Sequence, residues 1–229
     1  MLQICRQRVE EPTADELTEL REKFTEHGFV HLHQIIEPDF CRNIVKATAE
    51  GDYAERHTPK IGSVEVCQLD KVQGMLNNAF SQPKVLKAVS QIFTDKRLDI
   101  FLGAIVRRIP GKNHFSRFHN DAASGMDIQG HPIERAVALS LNISVADFEG
   151  GELEIGYVPD GIQVNLDNAD QLGKEIPLEH HHVVPNSGVG DALLFAISPR
   201  RYHRVRDVTA GGPRTVFVGW FYTVHPKES

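Results

Sequence analysis

The stretch RFHNDAASG, residues 117–125, sets a histidine and an aspartate one residue apart. Alternate side chains of an extended strand share a face, so His119 and Asp121 could meet at one metal ion while Asn120 turns away. A site of two imidazoles and one carboxylate needs a second histidine, which can come from a distant strand. His203, in SPRRYHRVRD, is the best-placed candidate, because it follows the apolar run GDALLFAI at a strand-to-strand junction. Eleven residues later Arg214 opens RTVFVGWF, in which Arg214, Val216, Val218 and Trp220 share one face. An arginine at the head of so apolar a strand calls for a carboxylate, which its planar fork binds bidentately. The His-x-Asp pair alone is within chance for a chain with 12 histidines in 229 residues. Only the series gives it weight.

Two other histidine features compete with this set. The cluster His180, His181 and His182 is more conspicuous, but adjacent strand side chains diverge and no carboxylate stands at a useful spacing. It reads as a loop feature, with a role in substrate gating as the alternative. His114 has no carboxylate two residues on and ranks below His119. Cys67, His31 and His33 have no chemical context and read as structural. Three scattered cysteines, Cys5, Cys41 and Cys67, match no Cys-x-x-Cys spacing, so any metal would be held by nitrogen and oxygen.

The elements that must position these residues fall into two textures. The first third reads as mostly helical. TADELTELREKFTEHG carries a capping box, Thr13 with Glu16, and Gly28 to end the helix. FVHLHQI is a short alternating strand, EPDFCRNIVKATAEG a second helix stopped by Gly51, and SQPKVLKAVSQIF a third. From about residue 98 the β-rich runs DIFLGAIVRRI, RAVALSLNISV, ELEIGYV, DALLFAI and TVFVGWFYTV alternate with Gly, Pro, Asn and Asp clusters. Short strands without helices between them imply a sandwich or jelly roll, not a parallel α/β sheet. The expected fold is α+β and mainly β, one domain over residues 1–229. A helical support region, 1–97, buttresses a jelly-roll core, 98–229, that carries the metal site. A long irregular connection is expected at about 158–182.

Composition narrows the function classes. At 41% hydrophobic and 24% charged, with a formal charge of −6, the chain has no overall basic field to recruit nucleic acid or an anionic membrane. No run is apolar enough to span a bilayer, and MLQICRQRVEEPT lacks a signal-peptide core, so a cytoplasmic location is expected.

The order RRIPG, HND, LNISVADFEGGELEI, GDALLF, His203, Arg214 and Trp220 resembles the iron(II)/2-oxoglutarate dioxygenases, in particular their prolyl-4-hydroxylase-like branch. The resemblance covers roughly residues 100–222 and implies a double-stranded β-helix of cupin-like form. It implies Fe(II) held by His119, Asp121 and His203, and 2-oxoglutarate anchored by Arg214. Dioxygen would be the second co-substrate and ascorbate a supporting reductant. Decarboxylation to succinate would drive hydroxylation of an unactivated C–H bond. Asp121 also argues against the related halogenases, which carry a small residue there. The chain departs from the pattern at Arg108, which stands at the co-substrate where the family often has tyrosine. Two extra residues precede His119, and one more separates His203 from Arg214.

Substrate class is suggested by charge. Eight of the 25 basic residues fall within residues 107–119 and 200–206, which contain no Asp or Glu. Such a rim could focus an anionic substrate on the metal; solvated arginines facing outward are the bland alternative. Arg107 and Arg117 from this rim, Ser124 from the small-residue run, and Trp220 are the candidate substrate contacts, although Trp220 also suits core packing. The leading expectation is a hydroxylase of a small anionic metabolite, such as a free or modified amino acid. A protein side-chain hydroxylase and a non-catalytic cupin-like binding protein are the alternatives. The intact set of four polar residues argues against the last.

Overall fold

The computed structural model describes residues 1–58, 62–93, 97–112, 118–122, 124–126, 132–159 and 181–224. The first part of the chain runs β1 (Gln3–Ile4), β2 (Val9–Glu10), α1 (Ala14–His27), β3 (Phe29–Leu32), α2 (Pro38–Ala49), β4 (Tyr53–Thr58), β5 (Gly62–Cys67), α3 (Asp70–Phe80) and α4 (Pro83–Phe93). Then follow β6 (Ile100–Arg108), β7 (Ser124–Met126), β8 (Pro132–Asn142), β9 (Phe148–Gly150), β10 (Leu153–Tyr157) and β11 (His181–Val184). The chain closes with β12 (Ala192–Ala196), β13 (Arg201–Val205), β14 (Val208–Gly211) and β15 (Arg214–Val224). None of the described helices is long and apolar enough to cross a membrane.

The major sheet has the order β3-β12-β8-β15-β6-β5-β4, with β7 beside β8. A minor sheet, β11-β10-β13, lies over one face of it, joined by an apolar cluster that includes Ala138, Leu153, Ile155, Leu193 and Phe195. The helices cover the other face. Phe80 of α3 stacks on Phe101 at 5.2 Å and on Phe217 at 5.8 Å, all three fully buried. Each long strand of the major sheet thus has a helix face and a minor-sheet face. This is the jelly-roll core with helical buttress expected from the sequence.

The buttress differs from its expectation in detail. Thr13 and Glu16 form the capping box of α1, and Gly28 at φ 76° closes it. In α2 the capping residue is Glu50, not Gly51. The first third also contributes β3, β4 and β5 to the major sheet, so it is less helical than its sequence suggests.

Helix α3, absent from the sequence reading, seals the edge of β6 with side chains. Asn77 donates to the Gly103 carbonyl at 3.1 Å and accepts from its amide at 2.7 Å. Four residues on, the Ser81 hydroxyl exchanges hydrogen bonds with the Phe101 backbone, and four residues back Gln73 accepts from Ile105 at 3.4 Å. The spacing works because four helical residues advance about 6 Å and two strand residues about 6.6 Å. Polar side chains therefore take over where β5, which pairs with β6 only at Val106 and Arg107, does not reach, and satisfy an otherwise open stretch of edge.

Candidate metal centre

His119 and His203 are brought together by backbone. Each donates its amide to the other's carbonyl, at 3.0 and 2.9 Å, in an isolated antiparallel bridge. Paired residues present their side chains to the same side, and the two rings stand 4.4 Å apart. Asp121 lies beyond that bridge rather than in a continuous strand: Asn120 accepts from the Ala122 amide at 3.0 Å and donates to the Pro199 carbonyl at 3.2 Å. The turn delivers what a strand was expected to deliver. Asp121 Oδ1 is 3.6 Å from His119 Nε2, and its Oδ2 is 3.5 Å from His203 Nε2.

One ligand atom from each of the three residues lies within 4.8 Å of the other two. The donor set fits a divalent transition metal of borderline softness, with no thiolate in the cavity lining. Burial, and next the neighbouring His119, push the His203 imidazole well below its ordinary pKa, which keeps it neutral and ready to ligate. Phe195 wedges His203 edge-on, at 4.9 Å between rings. The Trp220 indole donates to Asp121 Oδ2 at 2.8 Å, fixing the carboxylate's rotation. Trp220 was expected as a substrate contact or as packing. It lines the cavity and also orients a candidate ligand, a link that a 99-residue separation hides from sequence.

The three residues line a cavity of about 620 Å³ between the sheets, walled by Val106, Leu153, Val205, Val216 and Val218. Arg214 and Arg108 line the same cavity as directly paired residues of β15 and β6. Both are buried, and desolvation lowers each guanidinium to about 10, still charged at neutral pH. Acidic Asp207 favours the charge on Arg108, and Glu152 that on Arg214. Two buried cations side by side fit the carboxylate end of a diacid. Gly151, at φ 74°, makes room for Arg214: a β-carbon there would lie 2.6 Å from Arg214 Cδ. At its neighbour Gly150 a β-carbon would instead lie 2.1 Å from the Asp207 carbonyl oxygen, so the two glycines ahead of β10 answer to different neighbours.

Four of the eight basic residues of the expected rim share two carboxylates. Arg107 faces away from Arg108, pairs with Glu65 at 2.6 Å and stacks over Tyr53. Lys112 shares Glu65 at 2.7 Å. Arg204 and Arg206 converge on buried Glu154, at 2.8 and 3.4 Å. Burial disfavours the Glu154 charge, but the two arginines outweigh it and hold its carboxyl below the usual range. Arg107 is thus a structural ion-pair partner rather than a cavity residue. Arg117, His114 and His180 lie outside the described residues, as do the side chains of Ser124 and His181 and most of the expected 158–182 connection. Its end is regular, since His181–Val184 forms β11 against β10 and leaves His182 exposed. Arg135 of β8 lines the cavity and was not among the expected site residues.

No curated protein matches the chain in sequence. Among solved structures, an oxidoreductase of the 2OG-Fe(II) oxygenase family from Burkholderia pseudomallei is similar with a TM-score of 0.61 at 16% identity, covering 98% of this chain and 97% of that one. HygX from Streptomyces hygroscopicus, with nickel, 2-oxoglutarate and hygromycin B bound, gives 0.60 at 14% identity over 90% and 86% of the two chains. A Pseudomonas putida prolyl-4-hydroxylase gives 0.54 at 19% identity over 90% and 97%. At these identities the likeness establishes the fold. The model of the 2OG-Fe(II) oxygenase superfamily matches residues 104–222, just over half of the chain, a span holding the three candidate ligands and both buried arginines. The chain therefore belongs to the 2OG-Fe(II) oxygenase superfamily and is a non-haem iron enzyme.

Proposed function

We propose that the protein hydroxylates a C–H bond of a small anionic metabolite, with Fe(II) held by His119, Asp121 and His203 and 2-oxoglutarate anchored through its distal carboxylate by Arg214 and Arg108. The observation that carries this reading is the placement of both groups in one cavity, the triad within 4.8 Å and the arginine pair on the adjoining strands. Bound iron supplies the oxidising chemistry, coupled to decarboxylation of the 2-oxo acid to succinate. The protein's share is position. The His119–His203 bridge fixes the imidazoles, Trp220 orients Asp121, and the valine walls keep water from the reacting centre. Arg108 in place of a tyrosine adds a second cation at the co-substrate carboxylate, which supports a reading outside the prolyl hydroxylases themselves. A cavity of about 620 Å³ suits a small molecule better than a protein segment.

The test is succinate production by purified protein given Fe(II), ascorbate, 2-oxoglutarate and a pooled metabolite panel. Succinate formation that Asp121→Ala and His203→Ala abolish is the expected result. Succinate formation undiminished in both variants would overturn the assignment.

A further inference from the structure

Arg135 owes its place in the cavity to a single extra residue. Along β8 and β15 the register pairs Trp220 with Ala138 and Phe221 with Val137, then Tyr222 with Arg135, so Ala136 has no partner on β15. Trp220 and Ala138 face the cavity, whereas Phe221 and Val137 face the helix-side core. Strict alternation from Val137 would send residue 135 into that core as well. The bulge at Ala136 shifts the parity and re-aims Arg135 to the cavity face, a device common beside active sites. There its guanidinium lies 4.0 Å over the Trp220 ring. Its Nε donates to the Tyr222 hydroxyl at 3.3 Å and its Nη1 to the Asp121 carbonyl at 3.4 Å.

Every one of these contacts is to a neutral group. They fix the guanidinium's plane without cancelling its charge, and among the described residues no carboxylate pairs with Arg135. That sets it apart from Arg107, Arg204 and Arg206 of the rim, which pair with Glu65 and Glu154. It is also remote from the co-substrate arginines. Arg135 stands opposite Tyr222, eight residues along β15 from Arg214, or roughly 26 Å of strand at about 3.3 Å per residue. One small diacid cannot serve both ends.

We propose that Arg135 is the specificity-determining anchor for a carboxylate of the primary substrate, held beside the Trp220–Asp121 end of the cavity. The inference rests on the dioxygenase reading above and adds to it the substrate's charged group and the residue that receives it. Aliphatic substrate carbon would then lie against the apolar wall, with the anionic group fixing which carbon meets the metal.

The experiment uses wild-type protein, Arg135→Gln and Arg135→Lys, each loaded with Mn(II) and 2-oxoglutarate. Each is titrated calorimetrically with the common L-amino acids and short hydroxy acids beside their primary amides. In wild type at least one acid binds about tenfold or more tighter than its amide, the scale of a hydrogen bond to a charged group. Arg135→Gln removes that preference while still binding Mn(II) and 2-oxoglutarate, and Arg135→Lys retains part of it. No acid preference in wild type, or one undiminished in Arg135→Gln, overturns the proposal. Wild-type protein that takes up neither Mn(II) nor 2-oxoglutarate overturns the underlying functional reading, and the anchor with it, by a separate observation.

Discussion

Replacing Trp220 with Phe removes one hydrogen bond and little else. The variant keeps an aromatic face beneath Arg135, now 4.0 Å above the ring, and loses the indole N–H that reaches Asp121 Oδ2 at 2.8 Å. Asp121 is mostly buried, with a side-chain exposure of 16%, so water replaces that donor poorly. A hydrogen bond to a charged group is worth about 1.5–3 kcal/mol net, which at about 1.4 kcal/mol per decade is roughly 10- to 150-fold. Changes to groups that orient a metal ligand typically cost about 10- to 100-fold in metal affinity, a consistent range. Titration of the metal-free protein with Mn(II) should therefore show a dissociation constant raised about 10- to 100-fold in Trp220→Phe. Once saturated with Mn(II), the variant should bind 2-oxoglutarate as wild type does, because Arg108 and Arg214 lie at the other end of the cavity. A Mn(II) affinity equal to wild type, in a variant of unchanged Tm, would refute the orienting role of Trp220.

Gly151→Ala should weaken 2-oxoglutarate binding by about tenfold or more with Mn(II) binding retained, since the new methyl lies 2.6 Å from Arg214 Cδ and displaces an anchoring charge. Equal co-substrate affinity would show that Arg214 is not the anchor. Asn77→Ala strips both hydrogen bonds from Gly103 and should cost about 1–3 kcal/mol, a Tm loss of several degrees by calorimetry, with the metal site intact. An unchanged Tm would mean that water replaces the side chain at the β6 edge. Glu154 is held below its usual pKa by Arg204 and Arg206, so its contribution to stability is present above the unfolded carboxyl value near 4.3 and fades as pH falls through the lower folded value. Glu154→Gln should be less stable than wild type at neutral pH and show a flatter acid limb in urea unfolding. Parallel acid limbs would exclude Glu154 as a source of that dependence.

The candidate site was legible in the sequence where order along the chain encodes it. His119 and Asp121, His203 within β13 and Arg214 at the head of β15 keep their succession along the chain, so motif spacing singled out residues that the fold brings to one cavity. What spacing missed lies in cross-strand relations. Glu65 and Glu154 each draw two cations of the basic runs from neighbouring strands, so counting charges within a run overstated the field. Helix α3 escaped because Gln73, Asn77 and Ser81 are polar on the side that meets the sheet, contrary to the usual amphipathic pattern. The β4–β5 hairpin escaped because YAERHT is polar on both faces and carries no clean alternation. Arg135 was invisible for a different reason: its face depends on the bulge at Ala136, which only the partner strand reveals.

That bulge bears on how the fold separates stability from specificity. In β6, β8 and β15 one face packs the helices and the other lines the cavity, so a residue's parity assigns it to one task or the other. Val137, Leu139 and Leu141 hold core parity, and Ala138 and Ser140 cavity parity. An arginine at residue 135 without the bulge would meet Val137's surroundings, where an unpaired cation costs several kcal/mol. With the bulge the same residue stands over Trp220, which in turn orients Asp121. Arg135, Trp220 and Asp121 thus form one continuous chain of contacts from the proposed substrate anchor to a candidate metal ligand. A substrate anion drawing on Arg135 would be felt at the metal ligand through the indole between them. Metal affinity and substrate charge should therefore be coupled in this enzyme, with Trp220 as the common element.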